Sequence, residues 1–259
     1  MKTKKVSFLN NKYQKLAGIL HVPRETPAPA IIISHGFGGN KDNKENWENE
    51  LCKNGFVVLR YDFSGGGDSE GKFIEVTTSQ YAKDVYSAIN FVSSLPQIDK
   101  KRIGLTGNSL GGSVSLICAK DKRIKIVSTI APPTYPRELF KKLFNDYKEG
   151  KFDSLLKKYE KLYLKHGKVS LIRAVYSYYT DAIKYNFEEI FKEIKCPIQI
   201  IHGDKDELVP TDQSRRIIKF ANKKSELKII KGAPHRFSDS KYEENMIELN
   251  VAWSNKWMK

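Results

Sequence analysis

Short apolar runs rich in β-branched residues recur along the chain with longer helical segments between them, and this alternation leaves few folds open. Residues 30–34, 56–61, 102–106, 125–130, 197–201 and 227–231 read as strands. The first and fifth are almost uninterrupted apolar runs, as expected of strands covered on both faces of a parallel sheet. Residues 44–54, 79–95, 110–120, 212–222 and 242–258 read as helices. Gly55 suits a left-handed terminator after the first helix, and Pro96 stops the second. Ahead of the first strand–helix unit, residues 6–9 and 16–22 predict an antiparallel edge hairpin. Strand alternating with helix implies a mostly parallel, doubly wound α/β sheet.

The alternation lapses between residues 134 and 191. That stretch is amphipathic and lysine-rich, and it holds eight tyrosines and five phenylalanines, half of all the Tyr and Phe in the chain. It lies between two sheet strands, so it reads as an inserted helical cap. The expected organisation is a core domain from residues 1–133 and 192–259 with a cap or lid from residues 134–191. At 259 residues the chain is long enough to bury a large core without a disulfide or metal.

Cys52, Cys118 and Cys196 are far apart and make no C-x-x-C pair, so a reducing, cytoplasmic setting is expected. Met1-Lys-Thr-Lys-Lys is basic like a signal peptide, but the apolar run behind it is too short for one, and no stretch is long enough to span a membrane. The formal charge of +15 raises nucleic-acid binding, yet the basic residues are scattered without a dense cluster. A lysine-coated enzyme surface explains them better, so no nucleic-acid partner is expected. Gly66-Gly-Asp-Ser-Glu-Gly71-Lys72 fits the first part of a P-loop, but Phe73 stands where a Mg²⁺-binding hydroxyl is needed. No H-E-x-x-H or Cys/His cluster appears, so neither metal nor other cofactor is implied.

Gly107-Asn-Ser109-Leu-Gly111 matches G-x-S-x-G and falls between a predicted strand and a predicted helix. A serine on that turn is forced into a strained conformation that exposes its hydroxyl. The hydroxyl needs a base, and the base needs an orienting acid. Of five histidines, His21 falls in the hairpin and His166 in the insertion, while His35 and His202 end strands before glycines, where they would satisfy loop backbone. His235 follows the last strand, in a loop that emerges at the carboxyl edge of the sheet beside Ser109. Asp204, Asp206 and Glu207 compete as the acid on the same rim. Asp204 suits a turn cap at the strand end, whereas Asp206 lies far enough out to reach His235, and it is our choice. His35-Gly-Phe37-Gly-Gly39 closes the first strand with glycines that let backbone N–H groups face a developing negative charge. The amides of Phe37 and Leu110 are the expected oxyanion hole.

Taken with Asp62-Phe-Ser-Gly65-Gly-Gly67-Asp-Ser69, Gly203-Asp-Lys-Asp206-Glu-Leu-Val209-Pro210 and Gly232-Ala-Pro-His235, these motifs resemble the α/β-hydrolase superfamily. The similarity is strongest to feruloyl (cinnamoyl) esterases and monoacylglycerol lipases, and it covers nearly the whole chain outside the insertion. It implies an α/β-hydrolase fold, a triad of Ser109, Asp206 and His235, and a small-molecule ester substrate. In this family the aspartate of G-x-x-D-x-x-V-P is the acid, which supports Asp206 over Asp204. Asn108 replaces the commoner histidine of G-H-S-x-G. An aromatic-lined cap would suit a hydroxycinnamoyl or a short-to-medium acyl group, with Tyr176, Tyr178 and Tyr179 as candidate contacts. Thioesterases, peptidases and non-catalytic small-ligand binders share the fold, and the residues alone leave these open, as they do a homodimer.

Overall fold

A computed structural model describes residues 1–42, 45–141 and 165–259. Residue 44, the predicted start of the first helix, and residues 142–164 of the segment expected to form a cap lie outside the described residues. Among those described, eight strands form one sheet in the order β1-β2-β4-β3-β5-β6-β7-β8. β1 (Lys2–Leu9) and β2 (Lys15–Val22) form the antiparallel edge hairpin, and β2 also runs antiparallel to β4 (Val57–Tyr61). The remaining pairings are parallel, through β3 (Ala28–Ser34), β5 (Ile98–Asn108), β6 (Ile124–Ile130), β7 (Ile198–Gly203) and β8 (Glu226–Ile230).

β5 begins earlier than its apolar run suggests. Its first turn of chain carries Asp99, Lys100 and Lys101, which read as loop, yet Ile98 pairs with Ala28 and a register shift absorbs the polar residues. The predicted helix at 212–222 is also broken, into an α-helix over Thr211–Ile217 and a 3₁₀ turn over Ile218–Phe220.

Alternate side chains of the central strands feed two apolar layers, as the period-two geometry of a strand requires. Ile32, Leu59, Leu105, Val127 and Ile200 face one layer, covered by α2 (Thr78–Ser94) and α3 (Leu110–Cys118). Ile31, Ile33, Val58, Ile126 and Ile201 face the other, where the layer takes in Trp47 and Leu51 of α1 (Glu45–Lys53) and Met246 and Trp253 of the C-terminal helix (Ser240–Met258). Both layers are therefore helix-covered, which is the doubly wound arrangement. A polar pin crosses the second layer: Trp47 Nε1 donates to Asn250 Oδ1 at 2.9 Å, and Asn250 Nδ2 donates to Thr106 Oγ1 at 3.1 Å.

In the described part of the insertion, α4 (Lys168–Ala182) and α5 (Phe187–Glu193) join the first layer through Leu171, Ala174, Tyr178, Phe187 and Phe191. Asp181 at the end of α4 accepts the Ser79 N–H at the start of α2 at 2.6 Å. Helix entry in the core follows the usual capping chemistry, with the Thr77 hydroxyl accepting from Gln80 N and Asp239 from Lys241 N. Each such cap contributes roughly 1 kcal/mol.

Candidate active site

The turn from β5 into the next helix carries Ser109 at φ 52° and ψ −121°. That is a left-handed conformation that costs a residue with a Cβ of order 1–3 kcal/mol and persists only where surroundings enforce it. They do so here through two glycines. A Cβ on Gly107 would lie 2.6 Å from the Gly111 backbone, and one on Gly111 would lie 2.1 Å from the Ser34 carbonyl oxygen. Strand and helix therefore approach closely only because those positions lack side chains. Ser109 N donates to Ile130 O at 2.7 Å, tying the turn to the end of β6. α3 starts at Leu110, so its N-terminal end lies directly behind the serine.

The loops after β7 and β8 bring two further side chains to that turn. His235 Nε2 lies 3.0 Å from Ser109 Oγ, and His235 Nδ1 lies 2.7 Å from Asp206 Oδ2. The three residues predicted from sequence thus form one hydrogen-bonded chain. Asp206 has no exposed side-chain surface, and its other oxygen, Oδ1, accepts the Leu208 and Val209 N–H groups at 2.8 and 2.7 Å. Burial by itself raises the pKa of such a carboxyl. Hydrogen bonds from His202 and His235, with the Val209 amide, outweigh it and hold Asp206 well below the ordinary carboxylate range. The acid therefore stays ionised. Because Nδ1 faces a carboxylate, the neutral imidazole carries its hydrogen there, leaving Nε2 free to accept from the serine.

The competing acids have other employment. Asp204 Oδ1 accepts the Gly232 N–H, and Glu207 Oε2 accepts the His235 N–H at 3.2 Å, so both brace the histidine loop. His202 is the residue that sequence reasoning underrated. It does bond loop backbone, at Val209 O, but its Nε2 also lies 3.0 Å from Asp206 Oδ2. The available signal was its position near the end of β7, four residues before the acid on the same rim.

The glycine loop after β3 lies against the serine turn. A Cβ on Gly36 would stand 3.1 Å from Asn108 Nδ2 and 3.5 Å from Ser109 Cβ. His35 Nδ1 donates to Gly36 O at 2.8 Å and its Nε2 accepts from Phe63 N at 3.2 Å, as its neutral form allows. Burial lowers the His35 pKa in the same sense. The far end of the loop is held by Asp62, which accepts from Lys41 N and Asp68 N. Gly67 is required there, since a Cβ would fall 2.1 Å from Asp62 Oδ2.

Aromatic rings gather around Phe37. Its ring centroid is 5.8 Å from Tyr178 and 5.9 Å from Phe73, and Phe73 stacks on His166 at 4.3 Å. Tyr179 meets Tyr178 edge-on at 5.0 Å. Tyr178 is almost fully buried, whereas Tyr176 is 56% exposed with its ring 6.0 Å from Phe140. Of the three tyrosines singled out from sequence, Tyr178 therefore touches the loop beside Ser109. Among the described residues no group of His, Cys, Asp and Glu has the makings of a metal site, and no helix is long and apolar enough to cross a membrane.

Residues 43–259 match the model of the prolyl oligopeptidase family. The mitochondrial palmitoyl-protein thioesterase ABHD10 of Mus musculus is 29% identical over 82% of this chain and 69% of its own. Among solved structures, the α/β hydrolase GrgF from Penicillium sp. sh18 aligns with a TM-score of 0.78 at 20% identity, over 100% of this chain and 99% of that one. Ferulic-acid-bound Est1E from Butyrivibrio proteoclasticus aligns with a TM-score of 0.72 at 20% identity, over 97% of each chain. Sheet order and these likenesses establish the α/β-hydrolase fold.

Proposed function

The chain belongs to the prolyl oligopeptidase family of hydrolases, and from that premise we propose that it cleaves carboxylic esters through an acyl-enzyme on Ser109. The observation that carries the proposal is the unbroken chain Ser109 Oγ–His235–Asp206, with the serine held at positive φ. His235 Nε2 takes the Ser109 proton as Oγ bonds to the substrate carbonyl carbon. The resulting oxyanion rests on the amides of Phe37 and Leu110, and losing one such donor typically costs about 100- to 1,000-fold in rate. His235 then passes its proton to the leaving alkoxide or thiolate, and the acyl group remains on Ser109. Water, deprotonated by the same imidazole, attacks the acyl carbon; the bond from that carbon to Ser109 Oγ breaks, His235 returns the proton to Oγ, and the acid leaves. Asp206 holds the tautomer and stabilises the imidazolium throughout.

Residues 134–191 serve as the cap in this reading. The rings of Phe37, Phe73, Tyr178 and His166 support an aromatic or short-to-medium acyl group on the substrate. A thioester is the second reading, favoured by the likeness to the mouse thioesterase. A thiolate leaves with less help from a proton donor than an alkoxide does, because a thiol is far more acidic than an alcohol.

A fluorophosphonate probe, with p-nitrophenyl esters, acyl thioesters and peptide amides assayed in parallel, tests the proposal. The expected result is labelling of the native chain but not of Ser109→Ala, and turnover of esters or thioesters well above amides. Equal labelling of the two proteins, or turnover confined to amides, refutes it.

A further inference from the structure

We infer that His202 is a positioning residue for the acid–base pair: its imidazole shares Oδ2 of Asp206 with His235, fixing where the carboxylate points and how tightly it holds the base. The inference deepens the proposed hydrolytic reading and rests on it for its kinetic part.

His202 is completely buried near the end of β7. Its Nε2 is 3.0 Å from Asp206 Oδ2 and 3.0 Å from Val209 O. Both neighbours are pure acceptors, so Nε2 carries a hydrogen. Its Nδ1 is 2.7 Å from Ser214 Oγ, a buried hydroxyl on the helix over Thr211–Ile217 that is able to donate to it. Strand, acid loop and following helix are thereby joined by one ring whose orientation is set at both nitrogens.

The consequence lies in how the carboxylate is divided. Oδ1 is taken by two backbone N–H groups, which cannot rotate away. Oδ2 is taken by two imidazole N–H groups, one from each histidine. Beyond its bonds to Val209 O and Ser214 Oγ, His202 bonds to the same oxygen that His235 uses. An oxygen accepting from two donors is a weaker acceptor for each, so His202 tempers the grip of Asp206 on the His235 imidazolium. Among the described residues, Glu207 also stands beside His235, its Oε2 accepting the His235 backbone N–H at 3.2 Å. Ser214, from the helix packed against His202, is neutral.

The test compares native protein with His202→Leu, His202→Gln and Ser214→Ala. Two quantities are read: the NMR titration of the His235 ring, which needs no turnover, and kcat and KM with a p-nitrophenyl ester. His202→Leu is expected to move the His235 titration, and the acid limb of kcat/KM, to higher pH. It should lower kcat about 10- to 100-fold, the worth of one hydrogen bond to a charged group, with KM little changed. His202→Gln, which retains an N–H donor, should recover most of both effects. Ser214→Ala, which leaves the ring in place but untethered, should give a smaller shift of the same sign.

A folded His202→Leu protein whose His235 titration stays in place or moves down overturns the inference. If that variant does not fold, Ser214→Ala decides, and an unmoved titration there overturns it. Should the native chain hydrolyse no ester or thioester while the titrations shift as stated, the proposed function fails and the positioning role stands.

Discussion

Replacing Asp206 by asparagine changes one atom, and the geometry around it dictates the outcome. All four hydrogen-bonding partners of the carboxylate are donors: Leu208 N and Val209 N on Oδ1, His202 Nε2 and His235 Nδ1 on Oδ2. The two backbone N–H groups are immobile, so the amide oxygen of Asn must occupy the Oδ1 position. Its NH₂ then points at the histidines. His235 has to present an unprotonated Nδ1 to that group, which moves its hydrogen to Nε2 and points it at Ser109 Oγ. A base in that tautomer has no lone pair for the serine proton. The expected loss in kcat is about 10,000-fold, the size found when a triad acid is amidated with geometry retained. That corresponds to about 5.5 kcal/mol at 1.36 kcal/mol per decade. Exchanging a buried charge-assisted acceptor for an amide should also lower stability, by about 1.5–3 kcal/mol for each such bond weakened. Ester hydrolysis under saturating substrate reads the first quantity, and a urea melt followed by circular dichroism reads the second. Asp204→Asn, whose carboxylate braces Gly232 N instead, should cost less than about tenfold on the same assay. Activity of Asp206→Asn within tenfold of native, or an equal loss in Asp204→Asn, would refute the reasoning.

Other changes follow from the same geometry. Gly111→Ala forces a Cβ to within 2.1 Å of the Ser34 carbonyl oxygen, so it should destabilise by about 3 kcal/mol or more and abolish turnover, as thermal melts and ester assay would show. Tyr178→Ala removes a buried ring packed on Phe37 and should cost about 3 kcal/mol while raising KM, whereas the exposed Tyr176→Ala should change stability by less than about 0.5 kcal/mol. Asp206 also predicts a pH dependence of folding. Its folded pKa is depressed, so on acidification the unfolded chain takes up the proton first. Its stabilisation is complete above the unfolded carboxyl pKa of about 3.9 and is lost as pH falls through the lower folded value. Urea midpoints measured below pH 5 should therefore fall more steeply for native protein than for Asp206→Asn.

Much of the site was legible in the chain because its signals are local. Gly107 and Gly111 around Ser109 announce a turn that side chains would obstruct, and the Cβ distances give the reason. Asp206 and His235 each follow a strand of a parallel sheet, so both had to emerge on the serine's rim. His202 was underrated because a histidine before a glycine looks like loop packing until its neighbour across the loop is known. The start of β5 was missed because Asp99, Lys100 and Lys101 carry no strand pattern, and only pairing with β3 makes the segment extended.

Hydrophobic period and turn chemistry, both properties of a few adjacent residues, determined that this chain forms strands alternating with helices and exposes a serine between them. Tertiary structure alone decided that β4 crosses to lie between β2 and β3, and that side chains 126 and 29 residues apart meet at hydrogen-bonding distance. It also decided which of three tyrosines in one helix packs beside the serine loop. Strand order and side-chain convergence depend on contacts between segments remote in the chain, whose energies come into being only when the sheet closes and water leaves.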